Sequence, residues 1–564
     1  MKKLLVTLLL FSMVAALFSG CDLFYKSFEC DFDVKQLDRK QSVSISWTYE
    51  DITKVEISVL HGTQNVSKKT FEGSDIADKT VELDAYYGKH AVTVTAFNSD
   101  GARCIQTKDV AISTDEYIIA PISGSMPQLY FTLNMKEITK EYSIPAFVWL
   151  ARPDSWNWDN LPQNVFAMPT VDKSEVLTHN NYDKMVEATD KYIEELYSIN
   201  PDAKFNLYIN DYNSYLYLKL LAGNGIPEDN YYVTLLSDGG ASYKAFNSAF
   251  DSEDAGFDAD AVYDQMVEKM NTLYAEVRDK KDYNWTDKFT VGTSEFNSYA
   301  YVAAREKDNV EWWILRPRAG VLCSPDEEFI NRVLNDDKVE GIIEERNFAA
   351  PLNAMSDDEK AALKSLYNFN NEMFEEADKQ DKKAMMILGS WANPENEPDF
   401  EAYVRFVKSY YGDEFVYYYK GHPNTPTSNH PDKQAQLETL GLIDVESSIN
   451  AELILFFYPD IYMCGYNSST FMSVQKPEMA CVMFNMPKDA CTNEYKDLIG
   501  IYMSKINIDD SAYASLCTNT DHTYFLTEYH NVAQDVGADF GIYDDTDGSY
   551  KNYKIQDGSF VEIK

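Results

Sequence analysis

Four short stretches of this chain carry residue types that could divide one reaction between them. Asp238-Gly239 closes a strand-like run, Tyr231 to Leu236. A carboxylate there could take the proton from a hydroxyl, and glycine would let the backbone turn sharply beneath it. Lys420-Gly421-His422-Pro423 follows a second strand-like run, Glu414 to Tyr419. A cation, an accessible backbone N–H and an imidazole could hold a phosphate and take up its charge as it departs. Pro423 biases His422 toward extended backbone, which aims its side chain outward. Glu452 lies in an otherwise nearly apolar helical stretch, Ile449 to Phe457, where a carboxylate needs partners and could hold a ribose. Ser468-Ser469 follows Ile461 to Gly465, and two hydroxyls opening a helix make an anion site. Each piece also has a plainer reading: an Asp-Gly turn, a loop histidine, a solvated helix face, a serine N-cap.

The order and spacing of these motifs resemble the bacterial sialyltransferases of glycosyltransferase family 80, over about Pro127 to Ile506. That family has an acidic-acidic-Gly motif in its first domain, then Lys-Gly-His-Pro, a Glu and a Ser-Ser pair in its second. The resemblance implies that Asp238 is the general base, since the family uses its second acidic residue. Ser237 stands where the first would be. It implies that Glu452 binds the ribose of the nucleotide and that Lys420, His422, Ser468 and Ser469 meet its phosphate. Gly389-Ser390-Trp391 matches a Gly/Thr-rich stretch followed by Trp, so Trp391 either stacks on the acceptor sugar or packs in its loop. The implied activity is inverting transfer of sialic acid from CMP-sialic acid, a donor substrate rather than a cofactor, to a galactoside-type hydroxyl. Two rivals stay open: a transferase using CMP-Kdo, and a non-catalytic glycan-binding lipoprotein that keeps the fold.

The other major transferase fold uses Asp-x-Asp to hold a divalent ion. Candidates are Asp31-Phe-Asp33, in a β-rich region, and Asp258-Ala-Asp260, at an expected helix start. Both read as structural, and no metal requirement is expected.

These groups need a scaffold that presents strand ends. From about residue 126 the pattern alternates strand and helix, which implies parallel sheets. Expected strands are Leu129 to Leu133, Ala146 to Trp149, Val165 to Ala167, Phe205 to Ile209, Tyr231 to Leu236, Ala384 to Leu388, Glu414 to Tyr419 and Ile461 to Gly465. Helices are expected over Asp183 to Ser198, from Ser214 toward Gly225, and over Asp258 to Val277, Asp399 to Tyr411 and Ile449 to Tyr458. The expected fold is α/β of the GT-B kind: two Rossmann-like parallel-sheet domains, 126–380 and 381–510, facing a cleft. Ligands of such sheets bind at the carboxyl ends of strands, where Asp238, Gly389, Lys420 and Ser468 all fall. Residues 28–114 alternate with period two between turn signals and read as a β-sandwich resembling fibronectin type III modules. Ser113 to Ser125 reads as a linker. Residues 511–564, rich in Tyr, Asp and Gly, form a C-terminal extension that suggests hairpins.

The chain has 564 residues and a net charge of −41. Such a surface repels phosphate backbones, which disfavours nucleic acid as a partner. Residues 1–20 read as a signal peptide, with Ser19-Gly20 before Cys21 resembling a lipobox. The expectation is export to a bacterial cell envelope with lipid on Cys21 anchoring the protein to a membrane; ordinary secretion is the alternative. No later segment is apolar enough to span a bilayer. A Cys30–Cys104 bridge would be permitted in an oxidising compartment, but seven scattered cysteines beyond Cys21 favour free thiols.

Overall fold

The computed structural model describes residues 26–37, 41–62, 64–169, 182–250, 256–278, 299–315, 332–333, 342–346, 348–389, 400–423, 425–466, 468, 470, 480–487, 522–528, 539–544, 549–556 and 559–563. The chain divides into two units, residues 1–117 with 190–204, and residues 118–189 with 205–564.

The first unit is built from seven antiparallel strands: β1 (Phe32–Gln36), β2 (Ser42–Trp47), β3 (Ile52–His61), β4 (Gln64–Glu72), β5 (Thr80–Asp84), β6 (Gly88–Asn98) and β7 (Arg103–Ile112). They form two sheets, ordered β1-β2-β5 and β4-β3-β6-β7. The period-two alternation puts Val55, Ile57, Val59, Val92, Val94 and Ala96 inside. Cys30 and Cys104 are joined by a disulfide with Cα atoms 6.2 Å apart, which corrects the expectation of free thiols. An odd number of cysteines says nothing about a pair that the fold brings together. Glu195 belongs to this unit too, accepting the Lys89 N–H at 2.6 Å and facing His61 Nε2 at 3.0 Å.

The second unit contains two open sheets. The first holds β8 (Glu116–Ile122), β9 (Ala146–Leu150), β10 (Val165–Ala167), β11 (Lys204–Asn210), β12 (Tyr231–Leu236), β13 (Val310–Leu315) and β14 (Ile343–Arg346), in the order β10-β9-β8-β11-β12-β13-β14. Strands β8 to β10 run parallel to one another, as do β11 to β14. The second sheet holds β15 (Lys383–Leu388), β16 (Phe415–Lys420), β17 (Ile443–Val445), β18 (Tyr462–Tyr466) and β19 (Ala480–Pro487) in the parallel order β17-β16-β15-β18-β19. An antiparallel meander continues it: β20 (His522–Glu528), β21 (Asp539–Asp544), β22 (Ser549–Gln556) and β23 (Ser559–Ile563). The C-terminal stretch therefore supplies strands to the sheet edge.

Two expectations are corrected here. The supposed linker contains β8, a central strand whose last six residues are buried. Leu129 to Leu133 belongs to a helix, Ser125–Leu133, with eight of its nine residues buried. A short apolar run buried on all sides shows no periodicity that separates strand from helix. The other expected strands and helices form, with ends moved by a residue or two and the Ser214 helix reduced to Leu216–Leu220 followed by a 3-10 turn. In both sheets the winding reverses between neighbours, β8 with β11 and β15 with β18, which creates a crevice at the carboxyl ends of those strands. Among the described residues no helix is long and apolar enough to cross a membrane.

Candidate functional site

Both crevices are lined by polar groups just beyond strand ends. Asp238 follows β12, with Gly239 at φ +68°, the left-handed turn that glycine permits. Asp238 is half-buried. Burial pushes its carboxyl up to about 7; the nearby Asp211 carboxylate adds to the rise, while the Arg152 guanidinium and a hydrogen bond from Asn210 oppose it. Gly124, between β8 and the following helix, has φ +89°, and a Cβ there would lie 2.6 Å from Asp238 Oδ1. The carboxyl is seated directly on bare backbone.

Ser237, at the place of the family's first acidic residue, is buried. Its hydroxyl lies 3.0 Å from that of Ser242 and accepts the Gly239 N–H at 3.1 Å. Asp211, just past β11, is 1% exposed. It accepts the Ser242 hydroxyl at 2.5 Å, the Trp312 indole N–H at 3.0 Å and the Asp238 N–H at 3.2 Å.

Arg152, just past β9, donates to Ser125 Oγ at 2.7 Å. Its charge is felt by Asp238 in the first sheet and by Lys420 in the second. The Ser125 carbonyl accepts from Asn450 Nδ2 at 3.5 Å, a second link between the two halves. Asn450 precedes the helix Ala451–Phe457, which carries Glu452.

Glu452 is buried, and burial raises its carboxyl above the usual range against the pull of Thr470 and Lys420. Thr470 Oγ1 donates to Glu452 Oε1 at 2.8 Å and contacts Ser468 Oγ at 3.2 Å. Ser468 is partly exposed and non-helical, and only Thr470 is in a helical turn among the described residues here. The rest of the expected helix falls on residues 469 and 471–479, outside the described residues. Lys420, at the end of β16, is 3% exposed. Its ammonium donates to the carbonyls of Gly421 and Ser447, both at 2.9 Å, and burial lowers its pKa to about 8. Lys420 thus braces the turn from within. A Cβ on Gly421 would lie 2.7 Å from Thr427 Oγ1 and 2.9 Å from Ser447 Oγ, so the turn is closely packed. His422 and Pro423 sit beyond it, partly exposed, with the Thr425 N–H donating to the His422 carbonyl at 3.0 Å. Gly389, past β15, donates its N–H to the Lys420 carbonyl at 2.9 Å. Ser390, Trp391, Ser469 and Cys21 lie outside the described residues.

The structure thus brings Asp238 and Gly239 together at one set of strand ends, and Gly389, Lys420 to Pro423, Glu452 and Ser468 at the other. Sequence reasoning missed Arg152, Asp211, Ser125, Asn450 and Thr470. The strand-end rule that selected Asp238 selects Arg152 and Asp211 equally well, since each stands one or two places past a strand. Asp258-Ala-Asp260 is engaged elsewhere: Asp258 caps the helix Ala259–Val277, and Asp260 pairs with Arg332 at 2.8 Å. A cavity of about 770 Å³ opens away from these groups, lined by residues such as Glu375, Lys408, Tyr417 and Asp444.

No family model and no curated protein matches the chain. Among the solved structures that resemble it are three sialyltransferases. One is a 2,6-sialyltransferase from Photobacterium sp. in a ternary complex with CMP and lactose, at 11% identity over 81% of this chain and 89% of that one, TM-score 0.44. Another is a sialyltransferase from Photobacterium damsela, at 13% over 85% and 95%, TM-score 0.47. The third is an α/β-galactoside α-2,3-sialyltransferase from Photobacterium phosphoreum, at 12% over 69% and 95%, TM-score 0.48. With these TM-scores below 0.5, function has to be argued from the site itself.

Proposed function

We propose that this chain is an inverting, metal-independent glycosyltransferase of GT-B architecture that moves sialic acid from CMP-sialic acid to a galactoside-type hydroxyl. The observation that carries this reading is that the Arg152 charge acts both on Asp238, a raised carboxyl, and on Lys420 of the Lys-Gly-His-Pro turn, while Ser125, which accepts from Arg152, also accepts from Asn450 at 3.5 Å. Asp238 takes the acceptor's hydroxyl proton as that oxygen bonds to the donor's anomeric carbon. The bond from that carbon to the CMP phosphate oxygen breaks on the opposite face. His422, Ser468 and Ser469 take up the phosphate charge, Glu452 holds the ribose, and Lys420 keeps the turn in shape. Gly389, Ser390 and Trp391 border the acceptor side. A base titrating near 7 suits proton removal at neutral pH.

The same reading places the protein in a bacterial envelope, exported by residues 1–20 and anchored to a membrane by lipid on Cys21. The strand orders β1-β2-β5 and β4-β3-β6-β7 support a fibronectin III-like spacer over residues 28–114.

The test is mass analysis after incubation with CMP-sialic acid and lactose, expecting lactose to gain one sialic acid as CMP is released. Asp238→Asn is expected to lose transfer about a hundredfold to ten-thousandfold while CMP still raises the melting temperature. Product formed only from CMP-Kdo replaces the donor. No product and no stabilisation by CMP leaves the glycan-binding lipoprotein.

A further inference from the structure

Asp211 is absent from the motifs above, yet it is the most heavily hydrogen-bonded carboxylate in the first crevice. It lies within the same small network as Ser237, Asp238 and Ser242. Its Oδ1 accepts the Asp238 N–H, and its Oδ2 accepts from Ser242 and Trp312. The Ser242 hydroxyl also lies 3.0 Å from the Asp238 N and 3.0 Å from Ser237 Oγ. Ser237 is thus joined to the Asp211 carboxylate through the Ser242 hydroxyl. The three donors oppose burial, which still raises the Asp211 carboxyl to about 6, so it is ionised at and above neutral pH.

We propose that Asp211 is the positioning residue of the candidate base: it fixes the Asp238 turn through the backbone N–H and supplies, from the neighbouring strand, the second carboxylate that Ser237 does not provide. The inference rests on the reading of Asp238 as base. The groups facing Asp238 are Asp211 from the end of β11, Asn210 beside it, Arg152 from the end of β9 with Asp154 close to that guanidinium, and the Gly124 backbone. Burial raises the proton affinity of Asp238 most, Asp211 adds to the rise and Arg152 opposes it, so the two neighbouring charges tune where the base works. A negative charge that close makes ionisation of Asp238 harder, and the ionised form becomes a stronger base.

The test is the pH profile of kcat/KM for Asp211→Asn, which keeps one of the two oxygen acceptors and removes the charge. The acid limb is expected to move to lower pH by about one unit, with donor KM unchanged. Adding Ser237→Asp to Asp211→Asn is expected to return the limb toward its original place. A profile merely scaled down, with its limb unmoved, overturns the proposal, because a structural role alone lowers the rate at every pH. Should Asp211→Asn fail to fold, Trp312→Phe removes only the indole donor. Asp211 then takes a proton more readily, and the limb moves the same way by less; an unmoved limb again overturns the proposal. If the wild-type protein transfers nothing, the functional reading fails, and the coupling is read from melting temperature against pH in Asp211→Asn, Asp238→Asn and the double variant. Non-additive effects between pH 5 and 8 support the pairing, and additive ones refute it.

Discussion

The Thr470 hydroxyl donates to the buried Glu452 carboxylate at 2.8 Å, from 18 residues further along the chain. This hydrogen bond ties the helix Ala451–Phe457 to the segment after β18, the two places from which ribose and phosphate contacts would come. Glu452 is already raised by burial, and its own backbone N–H, Thr470 and Lys420 oppose that rise. Thr470→Val keeps the shape and removes the donor. The expected cost is about 1–3 kcal/mol in denaturant unfolding, the penalty of a buried acceptor losing its partner. CMP affinity should fall with it, while Thr470→Ser retains both.

The raised carboxyl of Asp238 gives transfer and stability opposite dependences on pH. Transfer needs the ionised form, so kcat/KM should fall about tenfold per unit as pH drops below about 7. Stability runs the other way. The folded value near 7 stands above the ordinary 3.8, so the folded state binds more protons across that window. Its contribution is fully present below about 4 and is lost as pH rises through about 7. Melting temperature against pH should fall more steeply between 4 and 7 in the wild type than in Asp238→Asn. A steeper fall in the variant removes the raised carboxyl from the account.

The parts legible in sequence are those set by local pattern. Strands such as Tyr231–Leu236 and Phe415–Lys420 are apolar runs closed by turn chemistry, and the groups just past them fall in the crevices. Strand β8 was not legible, because Pro121 and the flanking Ser and Thr read as linker; Pro121 is tolerated one residue before the strand ends. With β8 overlooked, the buried run Leu129 to Leu133 took its place as a strand. Thr470 carries no local signal, since its importance comes from a partner 18 residues away, and Asp211 has only its place past a strand, its weight coming from partners 27, 31 and 101 residues away. Lys420 shows the converse: the motif suggests a phosphate ligand, and only three dimensions reveal that its ammonium is committed to two carbonyls.

Gly124 is the position where one added methyl should reach the chemistry without touching the nucleotide side. A Cβ there would lie 2.6 Å from Asp238 Oδ1 and 3.3 Å from Asn210 Nδ2, on a backbone at φ +89°. Gly124→Ala must therefore shift the carboxyl, strain the backbone, or both, at about 1–3 kcal/mol. A displaced base costs rate far more than binding, and a loss of about a hundredfold in kcat is expected. Thermal titration with CMP should be nearly unchanged. A variant with weakened CMP binding and normal kcat contradicts this placement of Asp238.

The Cys30–Cys104 bridge closes a loop of 74 residues around most of the first unit. Cross-linking so long a loop removes much conformational freedom from the unfolded chain, worth about 2–4 kcal/mol. The native unit also packs Phe32 against Trp47, with ring centroids 5.9 Å apart. The core therefore does not depend on the bridge alone, and reduction should destabilise the fold without abolishing it. In calorimetry, a transition assigned to the first unit should move to lower temperature with reductant and in Cys104→Ser. Transfer measured at 25 °C should be unaffected, because the candidate groups all lie in the second unit. A melting profile indifferent to reductant means that the bridge is open in solution.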